Sequence, residues 1–121
     1  MTAAHNRSLG AYGEDLAARY LREHEGMAVL DRNWRCRDGE IDLVLRDGDV
    51  LVICEVKTRS TQVGGHPLEA VGAAKLARLR RLAARWVIAH DVRVNDVRLD
   101  LVGVYQPRRG AAVIDHVAGV G

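Results

Sequence analysis

Phenylalanine is absent from this 121-residue chain, and two tryptophans and three tyrosines are its only aromatics. A core must therefore be assembled from Leu, Val, Ile and Ala. Cysteine is nearly as scarce. Cys36 and Cys54 have neither the number nor the spacing of a disulfide framework or a zinc site, and Cys54, inside an apolar run, reads as a buried thiol. No stretch approaches the roughly 20 apolar residues that span a bilayer, and the opening MTAAHNRSLG lacks the apolar centre of a signal peptide. These absences point to a reducing, cytoplasmic setting without a membrane. Repeats and low-complexity tracts are missing too. The five histidines show no metal-ligand spacing such as H-E-x-x-H, and His66, between Gly65 and Pro67, reads as an exposed loop residue. With 48% hydrophobic residues the chain can form one domain over 1–121, burying roughly 65% of its unfolded surface. A net charge of +2 is too small to name a partner; the clustering of charge has to do that.

The charges cluster on a predicted β-hairpin from Glu40 to Thr58. Two apolar runs there are interrupted by Asp42, Glu55 and Lys57. Such side chains are rarely buried unpaired, so they face either water or something charged, such as a metal ion and a phosphate. Strand alternation puts Glu40, Asp42, Val44 and Arg46 on one face and Ile41, Leu43 and Leu45 on the other. Asp47-Gly48 reads as a two-residue type I′ turn, which pairs Asp42 with Ile53. Asp42 then shares a face with Glu55 and Lys57, diagonal to Glu55 at roughly 7–8 Å. Leu51 and Ile53 occupy the same face, so it is not polar throughout, and two nearby acids repel.

Around the hairpin, residues 1–7 read as a loose arm. A helix capped by Ser8 runs to about Glu25 and is closed by Gly26, with Leu16, Ala17, Tyr20 and Leu21 as its apolar stripe and Glu14 at the stripe's edge. Met27 to Arg35 reads as a strand. Residues 59–67, RSTQVGGHP, read as a mobile loop, and Leu68 to His90 as a long helix. That helix carries Lys75, Arg78, Arg81 and Arg85 on about a third of its circumference, with no carboxylate between the first and the last. Helix faces selected for stability usually interleave Glu with Lys at i,i+4. This one suits an external anion. Asn95 to Tyr105 alternates as a strand, and Ala111 to Val117 could add an edge strand. The order α-β-β-β-α-β(-β) predicts an α/β fold with a mixed sheet flanked by helices in three layers.

Asp42, twelve intervening residues, then Glu55-Val56-Lys57 follow the pattern D-x12-E-x-K. The pattern resembles the signature of the PD-(D/E)xK nuclease superfamily, whose fold is restriction-endonuclease-like. The proline before the first Asp is replaced by Ile41. With Gly13-Glu14, Arg32-Asn33-Trp34-Arg35, Gly39-Glu40-Ile41-Asp42-Leu43, Glu55-Val56-Lys57-Thr58-Arg59 and Lys75, the chain from about Gly10 to Tyr105 resembles the small bacterial YraN-like family. The layout is also similar to that of archaeal Holliday-junction resolvases.

That resemblance implies a Mg²⁺- or Mn²⁺-dependent endonuclease acting on branched, flap or junction DNA in repair or recombination. Asp42 and Glu55, the carbonyl of Val56 and Glu14 would hold the metal. Lys57 would orient the attacking water or offset developing charge, and Glu40 would orient the other acids. Lys75, Arg78, Arg81, Arg85 and Arg59 would contact backbone phosphates, which give affinity without sequence readout. A symmetric junction would suit a homodimer. Two readings compete. One is a non-catalytic module binding nucleic acid or a partner on the same fold. The other is a structural domain whose acids pair with Lys57, Arg59 and Arg98.

Overall fold

The computed structural model describes residues 3–60 and 71–120, with side chains from Ser8 onward. The elements follow the order α1 (Ala3–His24), β1 (Ala28–Cys36), β2 (Gly39–Asp47), β3 (Val50–Arg59), α2 (Ala73–His90), β4 (Asp96–Tyr105) and β5 (Val113–Val117). The strands form one sheet in sequence order. β3 and β4 run parallel, joined by the connection that contains α2, and every other neighbouring pair is antiparallel. The mixed α/β sheet with flanking helices is the architecture expected. Among the described residues no helix is long and apolar enough to cross a membrane.

Two cores form, one on each face of the sheet. Ala17, Ala18 and Leu21 of α1 pack on Leu43, Leu45, Val52, Cys54, Val102 and Val104. Leu79, Leu82, Ala83 and Trp86 of α2 pack on Ile41, Val44, Leu51, Ile53 and Leu99. With no Phe available, twelve of the largest fully buried side chains are all Leu, Ile or Val. Burial pushes the Cys54 thiol well up, so it stays protonated and unreactive.

Three local expectations are corrected. Residues 3–7 are helical, so α1 starts well before Ser8; nothing between Ala3 and Leu9 breaks a helix. α2 starts at Ala73, because Gly72 takes an extended conformation (φ −94°, ψ 175°) as its N-cap. Arg59 ends β3 as a strand residue rather than opening a loop, and residues 61–67 of the expected loop lie outside the described residues.

The hairpin register is displaced by two. Its ladder runs from Asp47↔Val50 to Leu43↔Cys54, so Val44, not Asp42, pairs with Ile53. The turn is Gly48-Asp49. Only Gly48 has a positive φ (60°), which is the type II′ pattern. Asp47 is the last residue of β2, and Arg98 donates to its Oδ2 at 3.1 Å. An even-numbered slip preserves faces, and it moves Asp42 from a diagonal position to directly across from Glu55, one step past the last rung.

A second polar cluster holds the far side of the sheet. Asp100 is fully buried. It accepts from Arg98 Nε and Nη2 at 2.8 and 2.9 Å, from the Gly119 amide at 3.1 Å, and meets His116 Nε2 at 2.8 Å. Burial alone would raise the Asp100 carboxyl, but these partners outweigh it and hold it below the usual carboxylate range. A group depressed in this way stabilises the fold above the unfolded pKa, and that contribution is lost as pH falls through its lowered folded pKa. Asp100→Ala strips Arg98 and His116 of their shared acceptor and should lower the unfolding free energy by about 3 kcal/mol at pH 7, measured by urea denaturation.

Candidate active site

The site is built where the pleat of β2 breaks. Ile41 packs with the α2 core and Leu43 with the α1 core, although residues two apart should share a face. The expected grouping of Ile41 with Leu43 and Leu45 is therefore corrected: the strand changes face around Asp42. Its neighbour β1 is distorted at the same level, with Asn33 in the left-handed region (φ 52°) between the paired residues Arg32 and Trp34. Asn tolerates that conformation better than most residues. Asp42 is thereby freed from the regular ladder. Its Oδ2 instead accepts the Val56 amide of β3 at 2.8 Å, beyond the last rung.

Acids converge on this break from both sides of the sheet. Glu14 comes from α1, which approaches closely because residue 13 is glycine: a Cβ there would overlap the Thr58 hydroxyl at the end of β3. With its amide turned so that nitrogen faces the acids, Asn33 donates to Glu14 Oε1 and Oε2 at 3.0 and 3.3 Å and to Glu40 Oε1 at 3.2 Å. Glu40 also meets Arg35 at 3.4 Å. On the α2 side, Glu55 Oε2 lies 3.0 Å from Lys75 Nζ, without a geometry that makes a hydrogen bond. Lys57 is exposed, further along β3.

The electrostatics are unusual for a resting surface. Burial, and then the charges of Glu14, Glu55 and Glu40, push the Asp42 carboxyl up to about 7 despite the Val56 hydrogen bond. Burial also raises Glu14, and Glu40 adds to that, against the Asn33 hydrogen bond. Acids this crowded are poised to share protons or to take up a cation. Among the described residues no three Asp, Glu, His or Cys side chains close into a ready-made metal cage.

The basic stripe is only partly unpaired. The absence of carboxylates within α2 does not leave all four cations free, because the sheet supplies acids: Lys75 pairs with Glu55 and Arg85 with Asp38 of the β1–β2 turn. Arg78 and Arg81 are exposed and have no ion-pair partner among the described residues. Arg59 is half-buried at the end of β3, and its carbonyl accepts the Gln106 amide at 2.9 Å. Of the structural pairings expected with Lys57, Arg59 and Arg98, one with Arg98 forms, but at Asp47, the last residue of β2, and at Asp100; among the described residues Glu55 pairs instead with Lys75. Asn33 is the site residue that residue-by-residue reasoning missed. Its signals were an Asn in the middle of a strand run and its place in the Arg32-Asn33-Trp34-Arg35 motif.

Comparison with known proteins bears on the whole chain. A family model described as "Uncharacterised protein family UPF0102" matches residues 13–104. A UPF0102 protein from a Nocardioides species is 64% identical over 119 residues, covering 98% of this chain and 95% of the relative. Those from Beutenbergia cavernae and Streptomyces griseus are 59% and 60% identical over 114 residues, covering 94% and 93% of this chain and 96% and 95% of theirs.

Proposed function

The chain belongs to the family UPF0102, and from that premise we propose that it is a metal-dependent endonuclease on a restriction-endonuclease-like fold, hydrolysing phosphodiester bonds in branched, flap or junction DNA. The observation that carries the reading is Asp42. A carboxylate outside the β2–β3 ladder, half-buried, and set among three other acids is held at an energetic disadvantage that a proton or a cation relieves.

Hydrolysis adds negative charge to an already anionic phosphate, so catalysis rests on positioned positive charge. Asp42 and Glu55, with the Val56 carbonyl and Glu14, are the residues that would hold Mg²⁺ or Mn²⁺. When bound, such an ion lowers the pKa of a water and offsets phosphate charge. Val56 serves twice, its amide fixing Asp42 while its carbonyl is offered as a ligand. Asn33 spaces Glu14 from Glu40 so that their repulsion does not drive α1 off the sheet. Glu40 is a positioning residue. Lys57 is the exposed amine nearest the acids along β3 and would orient water or meet the phosphate. Lys75 reaches Glu55 in the free protein; with metal bound it would be released toward DNA. Arg78, Arg81, Arg85 and Arg59 would hold backbone phosphates.

The purified protein should cleave a flap or four-way junction in the presence of Mn²⁺ and leave blunt duplex largely intact. Glu55→Gln and Lys57→Ala should lose cleavage by roughly 10²-fold or more while keeping wild-type circular dichroism. The Lys75–Glu55 pair and the absence of a closed cage favour a second reading, a non-catalytic DNA-binding module. That module would bind the same substrates with a steep salt dependence and leave them uncut at high protein concentration with either metal.

A further inference from the structure

Both tryptophans of this aromatic-poor chain meet around one imidazole, that of His90. Trp86 of α2 stacks on His90 (centroids 4.2 Å, planes 18°), and Trp34 of β1 meets the same imidazole edge-on at 6.0 Å. Trp86 is core: it is buried, and its Nε1 donates to Asp31 at 2.9 Å. Trp34 is half-buried and lines an open groove of about 290 Å³ with Cys36, Arg85, Ile88 and Ala89. Ile88 stands 79% exposed on its rim, the most exposed of the large hydrophobics among the described residues. Packing explains Trp86. Trp34 also packs against the edge of that core, but packing leaves part of its indole at the groove mouth beside an exposed isoleucine.

The groove continues the basic stripe. At 100° per residue, Arg78, Arg85, Arg81 and Ile88 fall within about 80° of one another on α2. The stripe begins at Lys75, against Glu55, passes Arg78 beside Gly39, and reaches Arg85, held by Asp38 at the groove wall. Lys75 to Ile88 spans about 20 Å of helix axis, the length of roughly six stacked nucleotides at 3.4 Å each. A track of cations ending in an apolar slot walled by an indole is complementary to a polyanion whose end carries a flat, apolar-faced group.

Building on the nuclease reading, we propose that the Trp34–Arg85–Ile88 groove is a base-stacking pocket that captures an unpaired nucleobase of the bound DNA. The unpaired base stacks on Trp34, Ile88 covers its outer edge, and the arginines hold the intervening phosphates. Duplex DNA has no free base to offer, so the pocket gives preference for substrates with a single-stranded tail or a flipped nucleotide. Stacking reads no base edge, so the preference is for structure and not for sequence.

The test uses the full chain in EDTA, where binding is read without cleavage. Three DNAs share one duplex: blunt, with a six-nucleotide dT tail, and with the same tail made abasic. Trp86 is shielded, so fluorescence quenching reports Trp34. The tailed DNA should quench the protein and bind roughly 5- to 150-fold more tightly than the abasic-tailed or blunt DNA, the range for one stacked base. Ile88→Glu, at an exposed position with no fold to disturb, should remove that advantage. Trp34→Phe keeps a stacking ring, so it should retain tail preference and lose the quenching. Equal affinity for all three DNAs, or Ile88→Glu without effect, overturns the pocket. Cleavage in Mn²⁺ of a flap whose single-stranded arm is intact or abasic separates the two ideas: cutting that ignores the abasic arm rejects the pocket and spares the nuclease, whereas arm-dependent binding without cutting does the reverse.

Discussion

Replacing Asp42 with asparagine is expected to abolish cleavage and, at pH 8, to make the protein more stable. Asparagine keeps an oxygen that can accept the Val56 amide, which Asp42 Oδ2 now accepts at 2.8 Å. It removes the charge that burial and the acids Glu14, Glu55 and Glu40 oppose. The sign follows from linkage. An acid whose folded pKa is raised binds protons more tightly in the folded chain, so it lowers stability as pH rises. Below the ordinary value of 3.8 the carboxyl is neutral in both states and costs nothing; above about 7 it is ionised in both and the full penalty applies. That difference corresponds to at most about 4 kcal/mol. Asp42→Asn should therefore gain about 2–4 kcal/mol at pH 8 and almost nothing at pH 4, read from urea midpoints at the two pH values. Mn²⁺ at pH 8 should raise the wild-type midpoint and leave that of the variant unmoved. Activity should fall by roughly 10²–10³-fold or more. A variant less stable at pH 8 would show that the charge of Asp42 supports the fold, and the crowding of acids would lose its functional meaning. Stability gained where activity is lost is the signature of a site held under strain for function.

The second large effect belongs to Gly13. A methyl group there would overlap Thr58 Oγ1 and stand 2.7 Å from both Cβ and Cγ2 of the same residue. Threonine is short and β-branched, so its side chain cannot swing clear as a lysine tip could. The helix itself must lift from the end of β3. Alanine improves helix propensity by roughly 1 kcal/mol over glycine, yet overpacking here should outweigh that. Gly13→Ala is expected to lower stability by about 2 kcal/mol net and to carry Glu14 away from Asp42. Cleavage should fall although no acid or cation has changed. Thr58→Ala in the same background removes Oγ1 and Cγ2 and should recover part of the loss in both stability and rate, as a double-mutant cycle would show. Recovery of stability without recovery of rate would mean that Glu14 has no part in the chemistry.

Much of the fold was legible because periodicity is a local property. The alternation in residues 40–58 and 95–105 predicts β2, β3 and β4, and the stripe Leu16, Ala17, Tyr20, Leu21 predicts which face of α1 is buried. Element ends were less legible. Gly72 lies inside the helix predicted over Leu68 to His90, and only its extended backbone shows that α2 begins after it. The turn illustrates the same limit. Asp47-Gly48 and Gly48-Asp49 are equally short loops, and local spacing does not choose between them; in the folded chain Asp47 is a strand residue that meets Arg98, fifty-one residues away.

Acid types, their order along the chain and their even-numbered spacing across the hairpin were set by the sequence alone, since a pleat and a tight turn need nothing from elsewhere. Which of those acids share a space was decided by tertiary structure. The change of face at Asp42, the left-handed Asn33, the close approach of α1 at Gly13 and the pairing of Lys75 with Glu55 each join residues from different elements. Burial and charge act through distance, and distances between elements exist only after the chain has packed.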